Sequence, residues 1–138
     1  MNILMLGDVM GPSGRQVIKN NLSKIIKENL IDFTIVNGEN SADDGKGITD
    51  SIAEEFFSLG VDVITSGNHI WDKKETIEYI NRNNRLLRPA NLVAASPGKG
   101  YGIYSTKDKK FNVGVINLMG NVFMRKTEDV FKTAKEIC

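Results

Sequence analysis

Cysteine, histidine and proline are scarce in this 138-residue chain, which holds one, one and three of them. The lone cysteine, Cys138, is the last residue, so no internal disulfide can form, which suits a reducing cytosol. A thiol at a chain end is also a poor candidate nucleophile. The lone histidine, His69, excludes any centre that takes several imidazoles from this chain itself. An excess of either charge is missing too. The 18 basic and 17 acidic side chains leave +1, which implies no broad attraction to nucleic acid or to a membrane. No apolar run approaches the roughly 20 residues that cross a bilayer. Met1–Leu6 is too short for a signal sequence and stops at Gly7-Asp8. Repeats, low-complexity tracts and linkers are absent. What remains is 41% hydrophobic and 25% charged, an ordinary globular mixture. The expectation is one soluble, cytoplasmic domain over residues 1–138.

What is present alternates. Asn2–Leu6, Phe33–Val36 and Val61–Thr65 are short apolar runs that predict strands. Gly11-Pro12-Ser13-Gly14 predicts a turn with a helix starting at Ser13. From Arg15 to Asn29, Val17, Ile18, Leu22, Ile25 and Ile26 share one helical face. Thr49 is placed to cap a second helix carrying Ile52, Ala53, Phe56, Phe57 and Leu59, and Gly60 to stop it. A third helix is expected over Lys74–Asn83. Strand–helix alternation indicates parallel strands joined by crossover helices. After Arg88-Pro89, Gly100–Ser105 and Phe111–Leu118 flank a polar turn and predict an antiparallel hairpin. Thr127 is the expected cap of a last helix with Val130, Phe131 and Ala134 on one side. The fold class is therefore α/β, a parallel βαβαβ core plus a β-hairpin.

Ligands of parallel sheets bind beyond the carboxyl ends of the strands. Those ends here carry Asp8, then Glu39-Asn40, then Asn68-His69, each preceded by a glycine: Gly7, Gly38 and Gly67. Two carboxylates, two amides and an imidazole aimed at one volume suit divalent cations. A glutamate has two oxygens, so Glu39 can bridge cations about 3.5–4 Å apart. An amide ligates without adding charge, which leaves room for an anionic substrate. If Asn68 ligates, His69 is left to act as the proton donor. Each tip by itself also fits an ordinary turn or cap. The repeated pattern at successive strand ends favours a site.

The stretches "GDVMGPSGR" (7–15), "VNGENSADDGKGIT" (36–49), "SGNHIWDKKE" (66–75) and "LLRPAN" (86–91) carry a family resemblance. With "GYGIY" (100–104) and "VINLMGNVFM" (115–124), the chain resembles the bacterial YmdB-like metallophosphoesterases of the calcineurin-like phosphoesterase superfamily. The resemblance implies half of a four-layer α/β sandwich and a phosphodiesterase acting on 2′,3′-cyclic nucleotides. It implies two divalent metal ions, iron or manganese ahead of zinc or magnesium. Asp8 would bind one, Glu39 would bridge both, Asn40 and Asn68 would each add a ligand, and His69 would protonate the leaving group. Members of the family continue for about as long again and take further histidine ligands from that second half. The chain is therefore expected to be an N-terminal half, weak in metal binding and turnover alone, with an open sheet edge prone to self-association. Association with a missing C-terminal half is the other expected partnership.

Arg88 is a candidate for holding a substrate phosphate, although a surface or packing arginine before Pro89 is the favoured alternative. Asp43-Asp44 is expected to be a solvated loop rather than extra ligands. Trp71 is expected either at the pocket mouth or as a core anchor, and Lys107–Lys110 as a charged turn. Two rival functions remain. One is a non-catalytic remnant that binds a partner chain. The other is a nucleotide-binding α/β domain, disfavoured because neither a dinucleotide fingerprint nor a GK[ST] loop is present.

Overall fold

The computed structural model describes residues 1–93 and 95–138. Three of the apolar runs form strands β1 (Ile3–Leu6), β2 (Phe33–Asn37) and β3 (Val63–Thr65), with helix α1 (Gly11–Glu28) and helix α2 (Asp50–Ser58) as the crossovers. Helix α3 (Lys74–Arg82) leads into β4 (Leu86–Leu87), and the four strands pair in parallel in the order β1-β2-β3-β4. β5 (Tyr101–Ser105) and β6 (Asn112–Ile116) form a separate antiparallel hairpin, and α4 (Val130–Ile137) closes the described chain.

The register sorts the side chains between two faces. Val36 pairs with Ile64 and Ile64 with Leu86, and these three are fully buried against Leu22, Ala53, Phe56 and Ile80 of the helices. On the opposite face Phe33, Ile35, Val63 and Leu87 are covered by Val113 and Val115 of the hairpin. Tyr104 adds a tilted ring contact to Phe33, with centroids 6.2 Å apart, and its hydroxyl donates to the Asn84 carbonyl at 2.6 Å. The hairpin does not reach β1. Ile3 and Met5, in register with Phe33 and Ile35, stay 44% and 69% exposed.

Several expectations shift. Helix α1 begins at Gly11 rather than Ser13, because Pro12, with fixed φ and no N–H, is suited to a first turn. β4 is an addition: two residues carry no period from which a strand can be inferred. Asp129, not Thr127, caps α4, accepting from the Lys132 N–H at 2.7 Å, while Thr127 is engaged by Asn91 and Asn121. Thr49 caps α2 as expected, its hydroxyl accepting from the Ile52 N–H at 3.2 Å.

Phe56 is fully buried where α2 meets the sheet. Phe56→Ala should cost about 3–5 kcal/mol. Urea unfolding should show a lower midpoint with an unchanged slope.

Candidate functional site

The parallel sheet brings the carboxyl ends of β1, β2 and β3 to one edge, and backbone hydrogen bonds join the loops that follow. The Val9 N–H donates to the Asn37 carbonyl at 3.0 Å and the Gly11 N–H to the Asn40 carbonyl at 2.8 Å, linking the first loop to the second. The Gly38 N–H donates to the Thr65 carbonyl at 3.0 Å, linking the second to the third. On this frame Asp8 adopts a left-handed backbone with φ +43°, a conformation Asp tolerates better than most residues. The Asn40 side-chain N–H donates to Asp8 Oδ1 at 2.7 Å. That contact leaves Asn40 Oδ1, the ligating atom of an amide, without a hydrogen-bond partner among the described residues.

Glu39 links the second and third loops. Its Oε1 accepts from the His69 N–H at 3.3 Å, and its carboxylate lies so close over Gly67 that a methyl group there would overlap it. Only the missing Cβ of Gly67 makes that close approach possible. The other two glycines behave differently. Gly38 is hemmed in by Ile48, Ile64 and Phe56, and a Cβ on Gly7 would meet nothing within 4 Å. Asp8, Asn37, Glu39, Asn40, Thr65 and Asn117 line one cleft of about 680 Å³ between the strand tips and β6. Asn68 and His69 line a smaller neighbouring cleft of about 330 Å³, with Trp71 and Asp72 beside them. The Glu39–His69 bond joins the two.

His69 Nδ1 meets Asp72 Oδ2 at 2.6 Å, which orients the ring and leaves Nε2 as its other polar atom. Asp72 was not singled out in the sequence; its signal is the three-residue spacing that a tight turn closes. Asn117 was missed as well. Its amide donates to the Ser66 and Leu87 carbonyls at 2.8 and 3.0 Å and ties the end of β6 to the site's edge. The rule of polar strand tips, extended to the hairpin, finds it.

Arg88 stands apart from the other expected site residues. It is buried, its Nε donates to the Pro97 carbonyl at 3.1 Å and its Nη1 to the Pro89 carbonyl at 2.8 Å. It lines neither cleft, and burial draws its pKa below the usual arginine value. Asp43 and Asp44 are exposed but paired. Arg15 donates to Asp43 at 2.7 Å and to the Ser41 carbonyl at 2.5 Å, and Lys73 donates to both oxygens of Asp44 at 2.8 and 2.7 Å. The hydrogen bond from Lys73 holds the Asp44 carboxyl below its ordinary pKa. Trp71 takes both of its expected places, half-buried against the core and lining the smaller cleft.

Among the described residues no three His, Cys, Asp or Glu side chains gather into one cluster. The donors present are two carboxylates and two amides, the oxygen chemistry of hard or borderline divalent cations. The Glu39 carboxylate seated over Gly67 and the free Asn40 oxygen are donors suited to such an ion, but fill only part of the shells of two.

Similar folds are found in solved structures. A protein from Thermus thermophilus, titled as hypothetical, superposes with a TM-score of 0.90 at 31% identity, over 99% of this chain and 52% of that one. A structure titled as a novel phosphatase from Mycoplasma pneumoniae superposes with a TM-score of 0.87 at 34% identity, over 98% and 49%. The class is thus a mixed α/β fold shared with a phosphatase. A curated relative, the 2′,3′-cyclic-nucleotide 2′-phosphodiesterase of Bacillus subtilis, is 42% identical over 99% of this chain and 51% of its own length. The model of the YmdB-like protein family matches residues 4–138, and the chain belongs to that family. It spans about half the length of the relatives it matches.

Gly67→Ala should turn the Glu39 carboxylate away from the third loop while leaving the far-ultraviolet circular dichroism unchanged. A crystal structure of the variant with Glu39 still over residue 67 would contradict the tight fit.

Proposed function

We propose that this chain is the N-terminal half of a metal-dependent phosphodiesterase acting in the cytoplasm on small phosphodiesters, 2′,3′-cyclic nucleotides foremost. The observation that carries the reading is the joined set Asp8, Asn40 and Glu39, with Glu39 seated over Gly67 and bonded to the His69 N–H. Asp8 and Glu39 would hold the divalent cations, with Glu39 placed to serve both, and Asn40 and Asn68 would each offer an amide oxygen. Iron or manganese leads as the native pair, with zinc or magnesium as alternatives. When bound, the cations supply positive charge that stabilises the charge developing on the phosphoryl oxygens.

The chain's own residues then do the rest. The two amides ligate without adding charge, so an anionic phosphodiester is not repelled. Asp72 fixes His69 through Nδ1, and Nε2 delivers a proton to the departing oxygen. The name of the Bacillus subtilis relative supports this choice of substrate.

The reading includes a partner. Ile3 and Met5 lie uncovered on edge strand β1, and the relatives are about twice as long. A second polypeptide, either the remaining half or another copy of this chain, covers that surface. The rival reading, a non-catalytic module that only docks a partner, rests on the same apolar strip but leaves the Glu39–Gly67 fit without a purpose.

Elemental analysis of this chain beside a version extended to the relatives' length tests the proposal. The extended form should hold about two metal ions per chain and the 138-residue form far fewer. In the extended form, Glu39→Gln should lower cyclic-nucleotide hydrolysis by about 100-fold or more, and His69→Ala by about 100- to 10,000-fold. Equal metal content in both forms, or full activity of Glu39→Gln, would sink it.

A further inference from the structure

Phe123 is the most exposed apolar side chain described, at 104% of its reference exposure. Its backbone is left-handed, φ +58°, where a bulky aromatic is a true outlier. Strain of this kind persists only where the surroundings over-determine it, and here they do. Asn91, fully buried, staples both ends of the loop that carries Phe123. Its amide nitrogen donates to the Met119 carbonyl at 2.7 Å, to Thr127 Oγ1 at 2.9 Å and to the Glu128 carbonyl at 3.1 Å. Its Oδ1 accepts from the Met119 N–H at 2.9 Å. Within the loop, Asn121 Oδ1 accepts from the Thr127 N–H at 3.1 Å. A polar network anchored on the buried Asn91 thus holds an aromatic ring out in solvent.

The place where the ring is held is specific. Phe123, Met124 and Arg125 form one wall of the cleft of about 330 Å³ whose other wall is Asn68, His69, Trp71 and Asp72. That volume falls within the range of about 300–1,000 Å³ of small-molecule sites. Arg125 is exposed and has no carboxylate partner among the described residues. Asp72 is engaged by His69, which leaves the Arg125 guanidinium as the cleft's unpaired charge.

We propose that this cleft is the nucleotide subsite of the enzyme, in which Phe123 and Trp71 take the base and Arg125 takes an anionic oxygen of the phosphate beside His69. The inference rests on the phosphodiesterase reading and adds the recognition element that reading lacks. Aromatic faces stack on any base, whereas base choice needs hydrogen bonds to base edges. Asn68 is the cleft's one side-chain amide. The subsite therefore selects nucleotides over other phosphodiesters and discriminates little between bases.

Trp71 is the chain's only tryptophan, so its fluorescence reports this cleft alone. Adenosine 3′-monophosphate, adenosine and ribose 5-phosphate are titrated into the 138-residue chain without metal. Saturable quenching by the nucleotide is expected, with ribose 5-phosphate much weaker. Phe123→Ala should weaken nucleotide binding about tenfold, Phe123→Tyr should restore it, and Arg125→Gln should weaken the nucleotide but not adenosine. Absence of saturable quenching by the nucleotide overturns the subsite. So does equal binding of ribose 5-phosphate, or unchanged affinity in Phe123→Ala. A change of oligomeric state in Phe123→Ala with unchanged affinity overturns it too, marking the loop as an association surface. Nucleotide binding that persists while the extended protein hydrolyses no phosphodiester removes the phosphodiesterase reading and leaves the subsite standing. Hydrolysis with an unchanged KM in Phe123→Ala does the reverse.

Discussion

The close seat of the Glu39 carboxylate over Gly67, with the His69 N–H on its oxygen, is the constraint on which the site depends. It sets the separation between the second and third strand tips. Through Asn40, bonded to Asp8, the same loop reaches the first tip. A negative group held this way has little freedom to turn, so it is preorganised before any ligand arrives. The arrangement works only because parallel strands deliver their carboxyl ends to one edge.

The loops that carry these groups are braced from outside. Arg15 at the start of α1 and Lys73 before α3 hold Asp43 and Asp44 of the intervening loop. These are exposed pairs, and each contributes little to overall stability. Their effect is local: they tie the Glu39-bearing loop to both neighbours. Arg88, Asn91 and Asn117 act from the buried side, binding backbone carbonyls where the chain passes from the parallel sheet to the hairpin. Polar side chains at such a junction satisfy backbone groups that no regular strand pairing reaches.

Among the exposed apolar groups of the described residues, the β1 strip and Phe123 are uncovered for different reasons. The Ile3–Met5 strip on β1 is in register with a buried row but is itself exposed. It has the character of a core face lacking its cover. Phe123, in contrast, stands at the tip of a strapped loop with strained backbone. The proposed polypeptide partner fits the first, and the proposed planar ligand fits the second.

The alternation of strands and helices, the cap at Thr49, the hairpin and the polar tips at Asp8, Glu39, Asn40, Asn68 and His69 were legible in the sequence. They are written in local periods and in residue types suited to strand ends. Helix α1's start, the two-residue β4 and the cap of α4 were not, because short elements and chain ends are decided by which neighbour completes their hydrogen bonds. The roles of Asp72 and Asn117 were illegible for the same reason: each is defined by a partner's carbonyl or ring nitrogen. The amino-acid order by itself determined which chemical groups would stand at the sheet's carboxyl edge. Tertiary structure alone decided which touch, since a contact between Glu39 and Gly67 depends on how two crossovers pack and not on either segment.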